Sequence, residues 1–259
     1  MFHALVVFCL ASISVFSAIF EIAHFNELER YVGSDSMLLL DIDDTLITPK
    51  QMLGNDTWFG YRCKKYQDDG CSPSAALEKT LAEFEAIRHL SRMGLVEPHI
   101  ADVIQSVQKE GCRVMGITIQ GLALASRTVL QLSEHEIDLS QTSQFPDDFC
   151  FSVQNHAALF RRGIIFTSGK SKGEAFFRFC DILGNLPKKI VAVDDKLTHL
   201  QSIEKEAQER GVEFIGLRYK YSDVKKRAFS PQIVDYQLNH STITHLLSDE
   251  EARAALNID

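Results

Sequence analysis

Met37-Leu38-Leu39-Leu40-Asp41-Ile42-Asp43-Asp44-Thr45 is the stretch on which the reading of this chain turns. Four apolar residues ending abruptly on a carboxylate describe a strand buried on both faces, as in the middle of a parallel sheet. The same pattern recurs at Arg113–Ile117, Gly163–Phe166, Ile190–Val193 and Phe214–Leu217. Helical patterns separate them at Leu122–Leu132, Gly173–Leu183 and Thr198–Gln208, and a short helix is expected at Glu27–Val32. Gly111 and Gly211 stand where helices end just before strands, the usual place for a left-handed C-terminal residue. Strands alternating with helices predict an α/β fold, a doubly wound parallel sheet with right-handed crossovers.

Three segments fall outside that rhythm. Pro49 to Glu110 is too long for a strand-to-helix loop. With helices expected around Ser74–Arg92 and His99–Lys109, it reads as a small helical cap inserted after the first strand. Its opening, Thr57-Trp58-Phe59-Gly60-Tyr61-Arg62, either packs the cap on the core or lines an entrance. Phe149–Arg161 suggests a β-hairpin turning at Gln154-Asn155, and Ser230–Asp259 a final helical segment packing on the core.

Ligands of open α/β sheets bind at the carboxyl ends of the strands. Asp41 and Asp43 can both face such a site from one loop, with Asp44 directed elsewhere. A carboxylate pair can divide labour, one attacking phosphorus and the other handling the leaving group's proton. Ile190-Val191-Ala192-Val193-Asp194-Asp195 ends a second apolar strand on two more carboxylates. Two anionic strand ends side by side repel one another, which predicts a hard, oxygen-preferring cation such as Mg²⁺ between them.

In this order the residues resemble the haloacid dehalogenase (HAD) superfamily of phosphatases, over about residues 37 to 218. The first motif is Asp41-Ile42-Asp43-Asp44-Thr45. The second is the Thr closing Val114-Met115-Gly116-Ile117-Thr118, the third a Lys before a helix, and the fourth Asp194-Asp195. Lys172 matches the third motif, being followed directly by Gly173 and the helix, and Lys170 competes for the role. The resemblance implies a HAD-like Rossmannoid core in which Asp41 is the nucleophile that forms an aspartyl-phosphate. It makes Asp43 the acid and base, Thr118 a hydrogen-bond donor to the phosphoryl group and Lys172 its neutralising charge. Mg²⁺ would be held by Asp41, the backbone carbonyl of Asp43, Asp194 and Asp195. A carboxylate at Asp43 points to a phosphatase or phosphomutase, since transport ATPases of this fold carry Lys there. Many relatives place an Arg soon after the second-motif Thr, whereas Ile119-Gln120-Gly121 follows here. The Lys-Gly pair, Pro187-Lys188-Lys189 and the N-terminal segment resemble the bacterial DUF2608 family, a group associated with intracellular bacteria of the chlamydial and Legionella kind.

At 259 residues the chain has room for one domain, 18–259, with the cap at about 49–110. The net charge of −8 argues against broad nucleic-acid binding. Ala4 to Phe20 is almost unbroken apolar sequence, short for a bilayer span and suited to an export signal, 1–17, cleaved after Ser17. A retained N-terminal anchor or an ordinary apolar helix are the alternatives; after cleavage no stable membrane span is expected. Cys63 and Cys71 bracket a polar loop that a disulfide could close in an oxidising compartment, or they are free thiols. Arg218, Lys220, Lys225, Lys226 and Arg227 form the one dense basic segment, expected as a solvated loop. The expected function is an exported, Mg²⁺-dependent phosphohydrolase acting on a phosphorylated substrate that the sequence does not identify. The rival is a binding protein of the envelope or host interface that keeps the site without useful turnover.

Overall fold

The protein is described by a computed structural model over residues 16–143, 145 and 147–258. Its sheet has eight strands: β1 (Ser17–Ile22), β2 (Ser36–Leu40), β5 (Arg113–Thr118), β6 (Phe149–Val153), β7 (His156–Arg161), β8 (Ile164–Phe166), β9 (Lys189–Asp194) and β10 (Glu213–Tyr219). They lie in the order β1-β10-β9-β2-β5-β8-β7-β6. The first six run parallel, and the hairpin β6–β7 adds an antiparallel edge.

The apolar runs are continuous because both faces are covered. Leu38 and Leu40 of β2, Val191 and Val193 of β9, and Leu217 of β10 face one core. That core is closed by α3 (Ile100–Lys109) and α4 (Ala125–Ser133) through Ile100, Ile104, Val107, Ala125 and Leu132. Met37, Leu39, Ile190 and Ala192 face the other, closed by α5 (Lys172–Leu183) and α6 (Leu197–Glu209) through Phe176, Phe177, Leu200 and Ile203. Period-two alternation on each strand therefore feeds two cores at once. Each fully buried Leu or Ile contributes about 1.5–3 kcal/mol. The fold is the doubly wound α/β sheet the sequence predicts.

From β2 the chain continues to β5 and β8 on one side, and later to β9 and β10 on the other. The β2–β9 pair is thus the point where strand order reverses, and a crevice opens there at the carboxyl ends. Asp41 and Asp194 follow directly from Leu40 and Val193, which are register partners.

Four differences from the sequence expectation have physical causes. The expected export signal, 1–17, falls outside the described residues apart from Phe16 and Ser17. The rest of the apolar run was not expected as a strand, yet Ser17–Ile22 form edge strand β1 with Phe20 opposite Leu217. Second, β3 (Ile47–Pro49) and β4 (Met93–Leu95) pair antiparallel and form the stem of the helical excursion. It therefore closes at Met93, and α3 returns to the sheet. Third, the stretch after Cys63 is not a loop. It continues α1 (Asp56–Asp68), whose Asn55 cap accepts from the Trp58 N–H at 2.7 Å, and Cys63 and Cys71 are free thiols. Fourth, the C-terminal helices α8 (Pro231–His240) and α9 (Asp249–Leu256) do not pack on the sheet. Ile233, Val234 and Ala252 join Met52, Leu53, Trp58 and Ile87 in a separate apolar cluster with α1 and α2 (Pro73–Leu90). Trp58 is fully buried there, so its role is packing.

The hairpin turn falls at Gln154 and Asn155 as expected. Both have positive φ, 48° and 63°, the conformation a tight two-residue turn of this hand requires.

Candidate active site

Asp41 is the first residue past β2, and its N–H donates to the Val193 carbonyl at 3.0 Å, so strand pairing itself fixes the loop. Its Oδ2 accepts from Thr45 Oγ1 at 2.9 Å, and its Oδ1 accepts from Lys172 Nζ at 2.5 Å. Lys172 also donates to Asp194 Oδ2 at 2.6 Å, bridging the two strand ends. Carboxylate oxygens of Asp41, Asp194 and Asp195 all lie within 4.8 Å of one another, and all three residues are buried.

The sequence around Lys172 explains how an ammonium reaches this depth. Ser171 caps α5, accepting from Glu174 N–H, and Lys172 opens the helix. Gly173 follows because α6 is too close for a side chain: a Cβ there would stand 2.0 Å from the Ser202 carbonyl oxygen. We expect Gly173→Ala to force α5 and α6 apart and to lower unfolding free energy by about 1–3 kcal/mol. Urea denaturation measures this, and an unchanged midpoint would contradict the packing described.

Burial governs the electrostatics. It pushes the Asp41 carboxyl up, and the Asp194 charge pushes it further, against the pull of Lys172. Asp195 is pushed up to about 8 by burial and by its neighbours Asp41 and Asp194. For Asp194 burial is outweighed by Lys172 and His199, which hold it down to about 2. Burial raises Asp43 to about 6, with Arg88 opposing. Burial opposes the charge on Lys172 too, but Asp194 and Asp41 raise its pKa well above the ordinary lysine value. Three buried carboxylates this close repel one another when ionised, beyond what Lys172 and Lys226 offset, and a bound cation would relieve that. A hard oxygen donor set of this kind fits Mg²⁺, and nothing in it suits a softer metal.

The other residues singled out in the sequence fall around this cluster. Asp43 is not one of the three converging carboxylates; it accepts from Arg88 Nη2 at 2.5 Å and from Gln120 Nε2 at 2.6 Å. Asp44, in the left-handed region at φ 60°, accepts from Thr48 Oγ1 at 2.8 Å. Thr118 ends β5, buried, and its hydroxyl accepts from the Gln120 N–H at 3.2 Å. Of the two candidate lysines, Lys172 meets the carboxylates.

Several residues at the site carry no sequence signature of their own. Arg88 comes from α2, which has no clean apolar stripe to mark it as inward-facing. Gln120 lies two residues past Thr118. Lys226, on the short helix α7 (Asp223–Arg227), donates to Asp195, and its neighbour Lys225 donates to the Pro49 carbonyl. The basic segment is therefore not simply a solvated loop: Arg218 pairs with Asp223, Lys220 with Glu21, and Lys225 and Lys226 turn inward. Lys196 pairs with Asp56 at the start of α1, and His199 lies 3.2 Å from Asp194.

Fold and site together define a doubly wound α/β protein with an acidic cluster at its topological switch point. Residues 21–253 match the family model described as Protein of unknown function (DUF2608), and the chain belongs to that family. A Chlamydia pneumoniae protein named "Putative outer membrane protein" is 25% identical over 226 residues, covering 87% of this chain and 84% of that one. A Rickettsia prowazekii protein named "Uncharacterized protein" is 26% identical over 239 residues, covering 87% and 85%. Among solved structures, a haloacid dehalogenase-like family hydrolase of Streptococcus pneumoniae is similar with TM-score 0.44 at 12% identity, covering 76% of this chain and 99% of that one.

Proposed function

We propose that the protein is a Mg²⁺-dependent phosphohydrolase that works through an aspartyl-phosphate on Asp41. The observation that carries this is the convergence of Asp41, Asp194 and Asp195 oxygens within 4.8 Å around the Lys172 bridge. Bound at these carboxylates, Mg²⁺ would neutralise charge on the phosphoryl group and on the cluster. Phosphoryl transfer asks mainly for positioning and neutralisation, and the chain's own groups suit both. Thr45 and Lys172 orient Asp41 for in-line attack on phosphorus. Asp43 gives its proton to the leaving oxygen as the ester P–O bond breaks. It then takes a proton from the water whose oxygen bonds phosphorus, which releases inorganic phosphate and frees Asp41. Thr118 supplies a hydroxyl from the neighbouring strand. We read α1 and α2 as the cap over this site, with Arg88 and Asp56 reaching down from it.

The test is phosphomonoester hydrolysis by the purified protein with Mg²⁺ and with EDTA. Activity that is indifferent to EDTA would overturn the metal assignment. Mg²⁺ at about a hundred times its Kd should also stabilise the fold by about 2.7 kcal/mol. We expect that gain to be largely lost in Asp194→Asn and Asp195→Asn, as read by thermal denaturation.

We further propose export from the cytoplasm, supported by the apolar run Ala4–Phe20 and by the name "Putative outer membrane protein" of the chlamydial relatives. Among the described residues no helix is long and apolar enough to cross a membrane. Mass spectrometry of the natural N-terminus decides between cleavage near Ser17 and a retained anchor.

A further inference from the structure

We infer that Arg88 and Gln120 are positioning residues that clamp Asp43, making proton transfer dependent on a side chain carried by α2, an inference that rests on the phosphohydrolase reading above. Both Asp43 oxygens are engaged: Oδ1 by Arg88 Nη2 at 2.5 Å and Oδ2 by Gln120 Nε2 at 2.6 Å. Each carboxylate oxygen has two lone pairs. The two donors occupy one on each oxygen, and what remains defines where a proton in transit can sit.

Gln120 is itself held. Thr128 Oγ1 donates to its Oε1 at 2.6 Å, and its own N–H donates to Thr118 Oγ1 at 3.2 Å. With Oε1 committed to Thr128, the amide NH₂ is left facing Asp43. The Thr118 hydroxyl and the Asp43 carboxylate are thereby tied to one residue.

Arg88 is held by burial. It is 2% exposed, its Nη1 lies 2.9 Å from Met93 Sδ, and Phe84 is beneath its guanidinium at 5.8 Å. Its backbone carbonyl accepts from Gln131 Nε2. Its Nε is buried with no hydrogen-bond partner, and among the described residues Asp43 is its one ion-pair partner. A guanidinium placed at such a desolvation cost, with one donor unsatisfied, is poorly explained as a device for stability. A fixed direction for Asp43 accounts for it. Since Arg88 lies on the helical excursion and Asp43 on the β2 loop, Asp43 has its working orientation only when α2 is docked.

Proton donation matters when the leaving group departs as an alkoxide and hardly at all when it is a stable phenolate. Accordingly kcat/KM, which reports the steps through P–O cleavage, is compared for glycerol 2-phosphate and 4-nitrophenyl phosphate. We expect Arg88→Ala and Gln120→Ala to lower it by about 10- to 10²-fold for the alkyl ester and by less than about threefold for the aryl ester. Arg88→Lys should recover part of the loss, and combining Arg88→Ala with Asp43→Asn should add nothing to Asp43→Asn alone. Calorimetric Mg²⁺ affinity should stay at the wild-type value, because neither residue touches Asp41, Asp194 or Asp195. If Arg88→Ala does not fold, Gln120→Ala and Arg88→Lys carry the comparison. Equal losses on both esters, or none on either, would overturn the clamp. If Asp43→Asn itself shows no dependence on the leaving group, the role of Asp43 as acid fails and the clamp with it, whereas the phosphohydrolase reading falls only if neither ester is hydrolysed.

Discussion

Replacing Asp41 with Asn is expected to lower phosphomonoester hydrolysis by about 10⁴-fold or more while leaving the protein folded. The amide keeps the shape of the side chain, and its carbonyl oxygen can still accept from Lys172 as Asp41 Oδ1 does at 2.5 Å. Its NH₂ can donate to Thr45 Oγ1, which now donates to Asp41 Oδ2 at 2.9 Å. What it lacks is the anionic oxygen that attacks phosphorus. Stability should move the other way. Asp41 is a buried carboxylate whose pKa is raised by burial and by Asp194. Removing its charge in EDTA therefore relieves repulsion, and the unfolding temperature should be equal to or above that of the wild type. A variant that loses activity because it unfolds would show the opposite shift, so the two measurements together isolate the chemical role.

Lys172→Met should have the largest effect on stability. The thioether fills most of the lysine's volume but removes the charge that bridges Asp41 and Asp194, in a pair where the lysine side chain is 0% exposed. Breaking a buried pair from one side leaves the partner charges uncompensated and costs about 3–5 kcal/mol. With His199 left as the chief neighbour of Asp194, the deficit should be near the upper end in EDTA and smaller with saturating Mg²⁺. Its pH dependence follows from the sign of the shift. Lys172 holds Asp194 down to about 2, and a carboxyl whose folded pKa is depressed contributes stability that is present above its unfolded value and lost as pH falls below it. The deficit should therefore shrink as pH falls toward the ordinary carboxylate range. Chemical denaturation at several pH values measures it, and a deficit that grows on acidification would contradict the bridge. Hydrolysis should be lost at every pH.

The centre of the fold was legible because its signal is strong and local. Met37–Leu40 and Ile190–Val193 are buried on both faces, so burial is written into every residue of each run. The carboxylates that end those runs were legible for the same reason, since a strand terminus fixes where the next side chain goes. The hairpin turn at Gln154-Asn155 was readable from residue chemistry alone. Edge strand β1 was not, because its apolar residues merge with the apolar segment before them. Helix α1 was hidden for a different reason: among its residues only Trp58 is buried, so no stripe repeats along it. The missing half of the site comes from long range. Arg88 and Gln120 reach Asp43 from 45 and 77 residues away, and Lys226 reaches Asp195 across 31. No local periodicity records such a meeting. The basic segment shows the limit most clearly, since Lys225 and Lys226 look like any solvated cations until the fold turns them inward.

The most direct test of the central claim is to trap the covalent intermediate. The protein is mixed with a phosphomonoester and Mg²⁺, quenched in acid within one turnover, and reduced with borohydride, which converts an aspartyl-phosphate to homoserine. Peptide mass spectrometry should find homoserine at position 41 and unchanged aspartate at positions 43, 194 and 195, with no homoserine when EDTA replaces Mg²⁺. Homoserine at another aspartate, or turnover proceeding with none at position 41, would contradict the account.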